Sequence, residues 1–460
     1  VTKGRTQTAP IDVGSRIELA VHDIGHKGEG VGRYQGLAVF VPKGVPGDRL
    51  LVRITEVKKR YARAELVQVI EPSPDRVRPR CPVTDRCGGC QLQHIAYRKQ
   101  LELKRNVVAA NITRIGRLKD VVVHPTLGMA EPWNYRNKAQ YPFGVQSGRV
   151  IAGFFAPGSH DLIDIDVCDI QHPVGDAIMR AVKELADVLA VPIYDERSHT
   201  GVLRHVLTRI GRGGREAMAV LVTNGPDLPH ARELAAGIME RVPEVVSVVQ
   251  NINPYRTNVI LGDASRLLAG RPYITDTIGD LEFKISPVSF FQVNPAQTEV
   301  LYAKVLEYAA LTGRETVIDL YCGIGTITLF LARQAREAIG IEWIEEAVRD
   351  ARANAEHNGI TNVRFIAGDA SREMPKLVRD GVRADVVVLD PPRKGCDEPV
   401  LEAAAAAGPH RIVYVSCNPA SLARDLERLH ALGYRTVEVQ PVDMFPHTAH
   451  IECCALLVKA

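Results

Sequence analysis

No run of 18 apolar residues occurs in the 460-residue chain, so no segment is long enough to span a bilayer as a helix. The stretch Val1 to Ile11 is polar and lacks the apolar centre of a secretory signal. Both absences predict a cytoplasmic protein. A large excess of one charge is also missing, since 57 Lys and Arg face 54 Asp and Glu. Nine cysteines is an odd number, and without a secretory signal it argues against a disulfide framework and for metal-binding or catalytic thiols. What is present is ordinary for a soluble globular protein, 46% hydrophobic and 24% charged. At about 150 residues per domain the length predicts three domains.

The small net charge conceals an uneven one. Residues 1–120 hold 23 Lys and Arg against 12 Asp and Glu, whereas the remaining 340 hold 34 against 42. A basic front end on an acidic remainder predicts a polyanionic substrate gripped at the front. Within that front, residues 14–70 alternate apolar and polar positions in short runs: Arg16 to Val21, Leu37 to Val41, Leu50 to Thr55 and Ala64 to Ile70. Turns are read at Gly25 to Gly32 and Gly44 to Gly47. Short strands at this spacing predict a small barrel. Arg53, Lys58, Lys59, Arg60 and Arg63 crowd its later half, as phosphate contacts would.

The stretch Val317 to Val458 organises the rest. Short apolar runs end at Asp319, Glu342, Asp369, Asp390 and Cys417, with helical segments between them, which predicts a doubly wound sheet carrying those five residues on one rim. Gly323 and Gly325 allow a ligand close to the first turn, and Glu342 follows at the offset of about 20 residues at which such folds hold a ribose. The third glycine of a dinucleotide fingerprint is missing, because Thr328 stands there. That disfavours NAD and suits S-adenosylmethionine, which has no pyrophosphate to cradle.

Five motifs now stand in order: Ser289-Phe-Phe-Gln-Val-Asn294, Asp319-Leu-Tyr-Cys-Gly323, Asp390-Pro-Pro-Arg393, Ser416-Cys-Asn-Pro419 and His450-Ile-Glu452. In these the chain resembles the S-adenosylmethionine-dependent RNA uracil-5 methyltransferases of the TrmA and RumA (RlmD) type, over nearly its whole length. The resemblance implies an α/β architecture: a C-terminal class I methyltransferase sheet of Rossmann-like form, an N-terminal OB-like TRAM β-barrel that binds RNA, and a central α+β domain. The corresponding ranges are 1–73 for the barrel, 74–93 with 118–272 for the central domain, and 94–117 with 273–460 for the catalytic domain. It also implies a cofactor set of Gln292, Tyr321, Thr326, Glu342, Asp369 and Asp390, with Glu342 on the ribose hydroxyls and Asp369 on the adenine edge. The family carries Asn where Thr326 stands, and a threonine can still donate a hydrogen bond there.

Cys81, Cys87 and Cys90 lie with five and two residues between them, beside paired glycines, and Cys168 is a fourth candidate. The pattern suits a thiolate cluster, and spacing alone leaves zinc and iron-sulfur both open. The resemblance points to a [4Fe-4S] cluster on these four, as in the RumA branch. Tyr97 to Arg117 reads as an amphipathic helix, with Leu101, Val108 and Ile112 inside and Arg98, Lys99, Lys104 and Arg105 outside. Further on, Glu131 to Tyr141 interleaves aromatic and basic groups, as base stacking requires and as a half-buried strand also shows. β structure is read at Val202 to His205 and Val259 to Asp263, and helix at Asp227 to Arg241 and from Pro295 to Leu311.

Carbon 5 of uracil is a poor nucleophile, and adding a thiolate at carbon 6 converts the ring into an enolate that attacks through carbon 5. Cys417 is the candidate nucleophile, since it ends a strand before a helix whose N-terminus, with Pro419 in its first turn, should lower the thiol pKa. The proton on carbon 5 must then leave; the resemblance implies a last strand running antiparallel beside the fifth, which brings Glu452, at its start, to the same rim as the base. An arginine, Arg393, follows Asp-Pro-Pro where amino-methylating enzymes carry an aromatic, which disfavours N-methylation. The reading is a monomeric RNA (uracil-5-)-methyltransferase, and the resemblance to the cluster-bearing RumA branch implies 23S rRNA as its substrate. A tRNA T-loop uracil-5 methyltransferase is the same-fold alternative, and a non-catalytic iron-sulfur or zinc RNA-binding protein is the alternative from another class.

Overall fold

A computed structural model describes residues 11–460. The first ten positions, with most of the polar opening stretch and the start of the 1–73 unit, lie outside the described residues. Strands β1 (Arg16–Ile24), β2 (Gly30–Tyr34), β3 (Leu37–Val41), β4 (Arg49–Val57) and β5 (Tyr61–Glu71) close a barrel in the order β1-β2-β3-β5-β4. In β1 the alternate residues Ile17, Leu19 and Val21 point into its core, as the two-residue period of a strand requires. Strand β2 was read as a turn because of its glycines. They serve close approach instead: a Cβ on Gly32 would lie 2.5 Å from Leu19 Cδ1, and one on Gly30 would lie 2.7 Å from Gly44 Cα. Three of the five expected phosphate-binding residues are already paired, Arg53 with Glu65, Lys58 with Glu56, and Arg63 with Glu29 and Glu56. Lys59 and Arg60 remain exposed at the β4–β5 turn.

Helix α1 (Tyr97–Arg114) and the short β6 (Val122–Val123) follow. The central region is a seven-stranded sheet of β7 (Lys138–Gln146), β8 (Arg149–Phe155), β9 (Leu162–Asp164), β10 (Leu203–Gly211), β11 (Glu216–Thr223), β12 (Val245–Ile252) and β13 (Ala264–Gly270). Its order is β13-β12-β11-β10-β7-β8-β9. Helices α2 (Pro173–Val188) and α3 (Ala231–Arg241) cover one face. On β11, Ala217, Ala219 and Leu221 face those helices, while Met218 and Val220 join the core shared with the next region. Both faces are thus dry, and the strand is apolar almost throughout. Val259 to Asp263 is not a strand. Its carbonyls at Val259, Ile260 and Gly262 accept from the side chains of Asn253 and Asn251, which replace a neighbouring strand.

A hairpin, β14 (Ile274–Ile278) and β15 (Leu281–Ile285), and helix α4 (Pro295–Ala309) lead into the C-terminal sheet. There β16 (Thr316–Leu320), α5 (Thr326–Ala332), β17 (Glu337–Glu342), α6 (Glu345–His357), β18 (Val363–Ala367), α7 (Ala370–Arg379), β19 (Val386–Leu389), α8 (Glu398–Ala406), β20 (Arg411–Ser416), α9 (Pro419–Ala431), β21 (Tyr434–Val442) and β22 (Glu452–Lys459) alternate. The sheet order is β18-β17-β16-β19-β20-β22-β21-β6. Strands β16 to β20 are parallel, as their apolar runs predicted, and β22 inserts antiparallel beside β20, as the resemblance implied.

Helix α1 packs on α9, with Val108 and Ile112 in one core with Leu422 and Leu426. Strand β6 pairs with β21, so the segment tied to this sheet continues past the sequence boundary at 117. Lys104, read as an outward residue of α1, is instead 2% exposed and ion-paired with Asp443 at 2.6 Å. Its partner lies 339 residues away, beyond the reach of any local pattern. Among the described residues no helix is long and apolar enough to cross a membrane.

Candidate active site

The antiparallel register of β20 and β22 sets Ser416 opposite Cys453. One step further along each chain, Cys417 therefore comes opposite Glu452, although 34 residues separate them. Cys417 is half-buried, whereas Cys322, Cys396, Cys453 and Cys454 are buried. It lines a cavity of 920 Å³ together with Arg393, Asn418 and His450. Asn418 caps α9 by accepting from Ala420 N at 3.1 Å, and its Nδ2 donates to the Arg393 carbonyl at 2.9 Å. Ser421 Oγ donates to the same carbonyl at 3.1 Å, so the Asp-Pro-Pro-Arg and Ser-Cys-Asn-Pro turns are locked together.

The electrostatics differ from the sequence expectation. Burial, then the nearby carboxylates of Glu452 and Asp390, push the Cys417 thiol up to about 11, against the lowering effect of Arg393. Burial, with the two acids, outweighs the helix N-terminus that was expected to lower this pKa. Glu452, 6% exposed, is itself raised well above the usual carboxylate range by burial and by Asp390, again opposed by Arg393. Arg393 is thus the cation that favours the charged form of both groups.

The other rim residues surround the turn after β16. Tyr321 at φ 69°, Gly323 at 55° and Gly325 at 83° are left-handed at alternate positions, and for Tyr321 that conformation carries strain of the kind found at ligand sites. Glu342 accepts from Gly323 N at 3.0 Å and from Ile344 N at 2.9 Å, which ties the second strand to the turn. Thr326 shares a 2.7 Å hydrogen bond with the Tyr302 hydroxyl. Asp369 caps α7 by accepting from Ser371 N at 2.8 Å, and hydrogen bonds with Ser371 hold its pKa down. Desolvation lifts Asp390 to about 7. Asp319, fully buried and accepting from Thr328 Oγ1 at 2.6 Å, is also lifted to about 7. Gln292 is 8% exposed, and its carbonyl accepts from Asn137 Nδ2 at 3.1 Å.

A family model described as tRNA (uracil-5-)-methyltransferase matches residues 266–460, and one described as TRAM domain matches residues 10–67. An RNA methyltransferase of Halalkalibacterium halodurans, named as uncharacterized, is 53% identical over 98% of both chains. One from Caldanaerobacter subterraneus is 49% identical over 98% of this chain and 99% of its own. Among solved structures, the Pyrococcus abyssi tRNA (uracil-54, C5)-methyltransferase in complex with S-adenosyl-L-homocysteine superposes with a TM-score of 0.76. It is 28% identical and covers 96% of this chain and 100% of its own. The chain belongs to the uracil-5 RNA methyltransferase family. It is an S-adenosylmethionine-dependent RNA methyltransferase with an N-terminal TRAM barrel.

In this methyltransferase Cys81, Cys87, Cys90 and Cys168 are all free and half-buried, and they line one cavity of 290 Å³ with Arg136, Arg393 and His450. Their sulfurs share a void, yet among the described residues no three His, Cys, Asp or Glu side chains are placed to hold a metal ion. Sequence reasoning missed several neighbours of Cys417. Arg393 was read only as evidence against N-methylation and His450 was quoted in a motif without a role, and both border the cysteine cavity as well as the Cys417 cavity. His26, Lys27 and Lys43 of the barrel also line the Cys417 cavity. The glycines around residues 25–32 marked that loop only as a turn, with nothing to say that it faced the catalytic sheet.

Proposed function

We propose that this methyltransferase modifies 23S rRNA, placing a methyl group on carbon 5 of a uridine through a covalent Cys417–uracil adduct with Glu452 as the base. The observation that carries the mechanism is the register that sets a half-buried thiol opposite a buried carboxyl beside Arg393. S-adenosylmethionine supplies an electrophilic methyl group. Gln292, Tyr321, Thr326, Glu342, Asp369 and Asp390 hold the donor, Glu342 at the ribose hydroxyls and Asp369 at the adenine edge. Cys417 Sγ, deprotonated, forms a bond to carbon 6, and the electron pair released to carbon 5 takes the methyl group as the sulfur–methyl bond breaks and its pair stays on the donor's sulfur. Glu452 then removes the proton of carbon 5, and that C–H pair restores the 5,6 double bond as the sulfur leaves with its own electrons. A base in a stack cannot meet both side chains, so the uridine is flipped into the 920 Å³ cavity, where Arg393 and the barrel residues Lys27 and Lys43 flank it.

The assignment to ribosomal RNA rests on the four-cysteine pattern, which the resemblance ties to the branch acting on 23S rRNA. In this reading Cys81, Cys87, Cys90 and Cys168 hold a [4Fe-4S] cluster, which their common cavity supports. Binding has to draw the four thiols inward from their present positions. The division into 1–73, 74–93 with 118–272, and 94–117 with 273–460 belongs to the same proposal, with β6 moved to the last unit. A second reading, a tRNA uracil-5 methyltransferase, is favoured by the full-length likeness to the Pyrococcus abyssi enzyme. Methyl-labelled donor offered with deproteinised 23S rRNA and with tRNA lacking 5-methyluridine separates them. Label in 23S rRNA alone supports the proposal, label in tRNA alone supports the second reading, and RNA binding without label rejects catalysis.

A further inference from the structure

The segment 443–451 between β21 and β22 ends where Glu452 begins, and it is gripped from four sides. From α1, Lys104 Nζ donates to Asp443 Oδ1 at 2.6 Å and to the Phe445 carbonyl at 3.0 Å, and Tyr97 OH donates to Asp443 Oδ2 at 2.9 Å. Asn294 Nδ2, at the cap of α4, donates to the Met444 carbonyl at 3.0 Å. From the central region, Tyr135 OH donates to the Pro446 carbonyl at 3.0 Å. The fourth grip comes from the cysteine segment: Leu92 N donates to the His447 carbonyl at 2.9 Å, and Ala449 N donates to Gln91 Oε1 at 3.2 Å.

His447 is the crest of this segment. It is 3% exposed and adopts φ 66°, a left-handed conformation that is uncommon for a residue with a Cβ. Its ring stacks on Trp133 at 3.8 Å with the planes 22° apart, and Gln100 bonds both its backbone N and its Nδ1. Trp133 in turn lies under the Arg80 guanidinium at 5.2 Å, and Arg80 is paired with Asp169 at 2.9 Å. Arg80 and Asp169 directly adjoin Cys81 and Cys168, just as Gln91 adjoins Cys90. Both chain segments that carry the four cysteines thus end on residues that hold the 443–451 segment or its support.

We propose that residues 443–451 form a strap through which the four-cysteine region sets the position of Glu452, with His447 as its positioning residue. The inference rests on Glu452 being the base that resolves the adduct. Proton abstraction follows methyl transfer, so a misplaced Glu452 leaves adduct formation and methyl transfer running and stalls release. A strap defect therefore has a signature that a general loss of structure lacks.

The test compares full-length His447→Ala, Trp133→Ala and Glu452→Gln with the parent protein on the accepted RNA. For His447→Ala and Trp133→Ala, denaturation-resistant, methyl-labelled RNA–protein adduct should accumulate and S-adenosylmethionine affinity should be unchanged. Their kcat should fall about 100-fold with KM held, the scale expected for a group displaced by about 1 Å. His447→Asn, which tolerates the left-handed backbone, should recover part of the rate. Amide hydrogen exchange over residues 445–451 should quicken in Trp133→Ala, a half-buried site whose loss leaves the fold intact even where His447→Ala does not fold. Adduct in Glu452→Gln but in neither strap variant would overturn the strap. Absence of adduct in Glu452→Gln as well would overturn the assignment of the base, and the strap with it.

Discussion

Lys104 and Asp443 meet at 2.6 Å in the interior, with side-chain exposures of 2% and 0%, and join helix α1 to the segment that precedes Glu452. Desolvation lowers the Lys104 pKa and Asp443 opposes that shift, so each charge depends on the other. Removing one partner strands the second, at a cost of about 3–5 kcal/mol, whereas replacing both with apolar residues of similar volume is roughly neutral. Lys104→Met should lower stability by that amount, and Lys104→Met with Asp443→Leu should recover most of it. Denaturant midpoints of the three proteins check both statements.

Cys417→Ala should abolish methyl transfer and adduct formation together, because no other half-buried thiol borders the Glu452 carboxyl. Donor binding should survive, since the residues assigned to it gather around the turn at 321–325. Equilibrium binding of S-adenosylmethionine beside a label-transfer assay measures the two effects. An active Cys417→Ala protein would sink the covalent mechanism.

The parallel core was legible because four of its five strands bury both faces and announce themselves as apolar runs ending in a polar residue: Asp319, Glu342 and Cys417 were placed from that alone. The insertion of β22 beside β20 was legible only through resemblance, yet it is what brings Glu452 to Cys417. Lys104 was misread because helical periodicity reports a position's face and not a distant carboxylate that neutralises it. Strand β2 was lost because glycines that permit close backbone approach look, in one dimension, like a turn. The raised Cys417 pKa was missed for a related reason. A helix N-terminus is a local feature, whereas the burial of the thiol and the nearness of the Glu452 and Asp390 carboxyls arise only through the fold.

The four-cysteine cavity makes a prediction about colour. Protein purified without oxygen, or reconstituted with iron and sulfide, should be brown and carry about four irons per chain, as a cubane cluster requires. Substituting Cys90 with Ser should abolish the colour. A colourless protein with one bound zinc would refute the iron assignment and leave the covalent mechanism untouched.

Donor binding should depend on pH through Asp390 and Asp319, both lifted to about 7 by burial. S-adenosylmethionine carries a sulfonium cation, which the ionised carboxylates favour, so affinity should rise as pH climbs through about 7 and binding should release protons. The sign for folding is opposite. A carboxyl with a raised folded pKa holds its proton longer when folded than when unfolded, so its contribution to stability declines between its ordinary pKa and about 7. Calorimetry in two buffers of different ionisation enthalpy measures the released protons. Proton uptake on binding would contradict the placement of the donor beside these acids.

Arg393 offers the sharpest pH test, because it favours the charged form of Cys417 and of Glu452 alike. Its removal leaves burial and the neighbouring acids unopposed, so both pKa values should rise further. The thiolate needed for attack becomes scarcer at a given pH, and the acid limb of the rate profile should move upward. Arg393→Gln should therefore be slowed by the same factor from pH 7 to pH 9, both proteins gaining rate as pH rises, and alkylation of Cys417 by a small uncharged haloacetamide without RNA should slow by that factor too. Each unit of displacement corresponds to about 1.4 kcal/mol of charge stabilisation lost. Arg393→Lys should lie between the two, since a point charge replaces the guanidinium while its carbonyl still receives Asn418 and Ser421. Slower methyl transfer with an unchanged rate of Cys417 alkylation would mean that Arg393 binds RNA phosphate and does not tune the thiol.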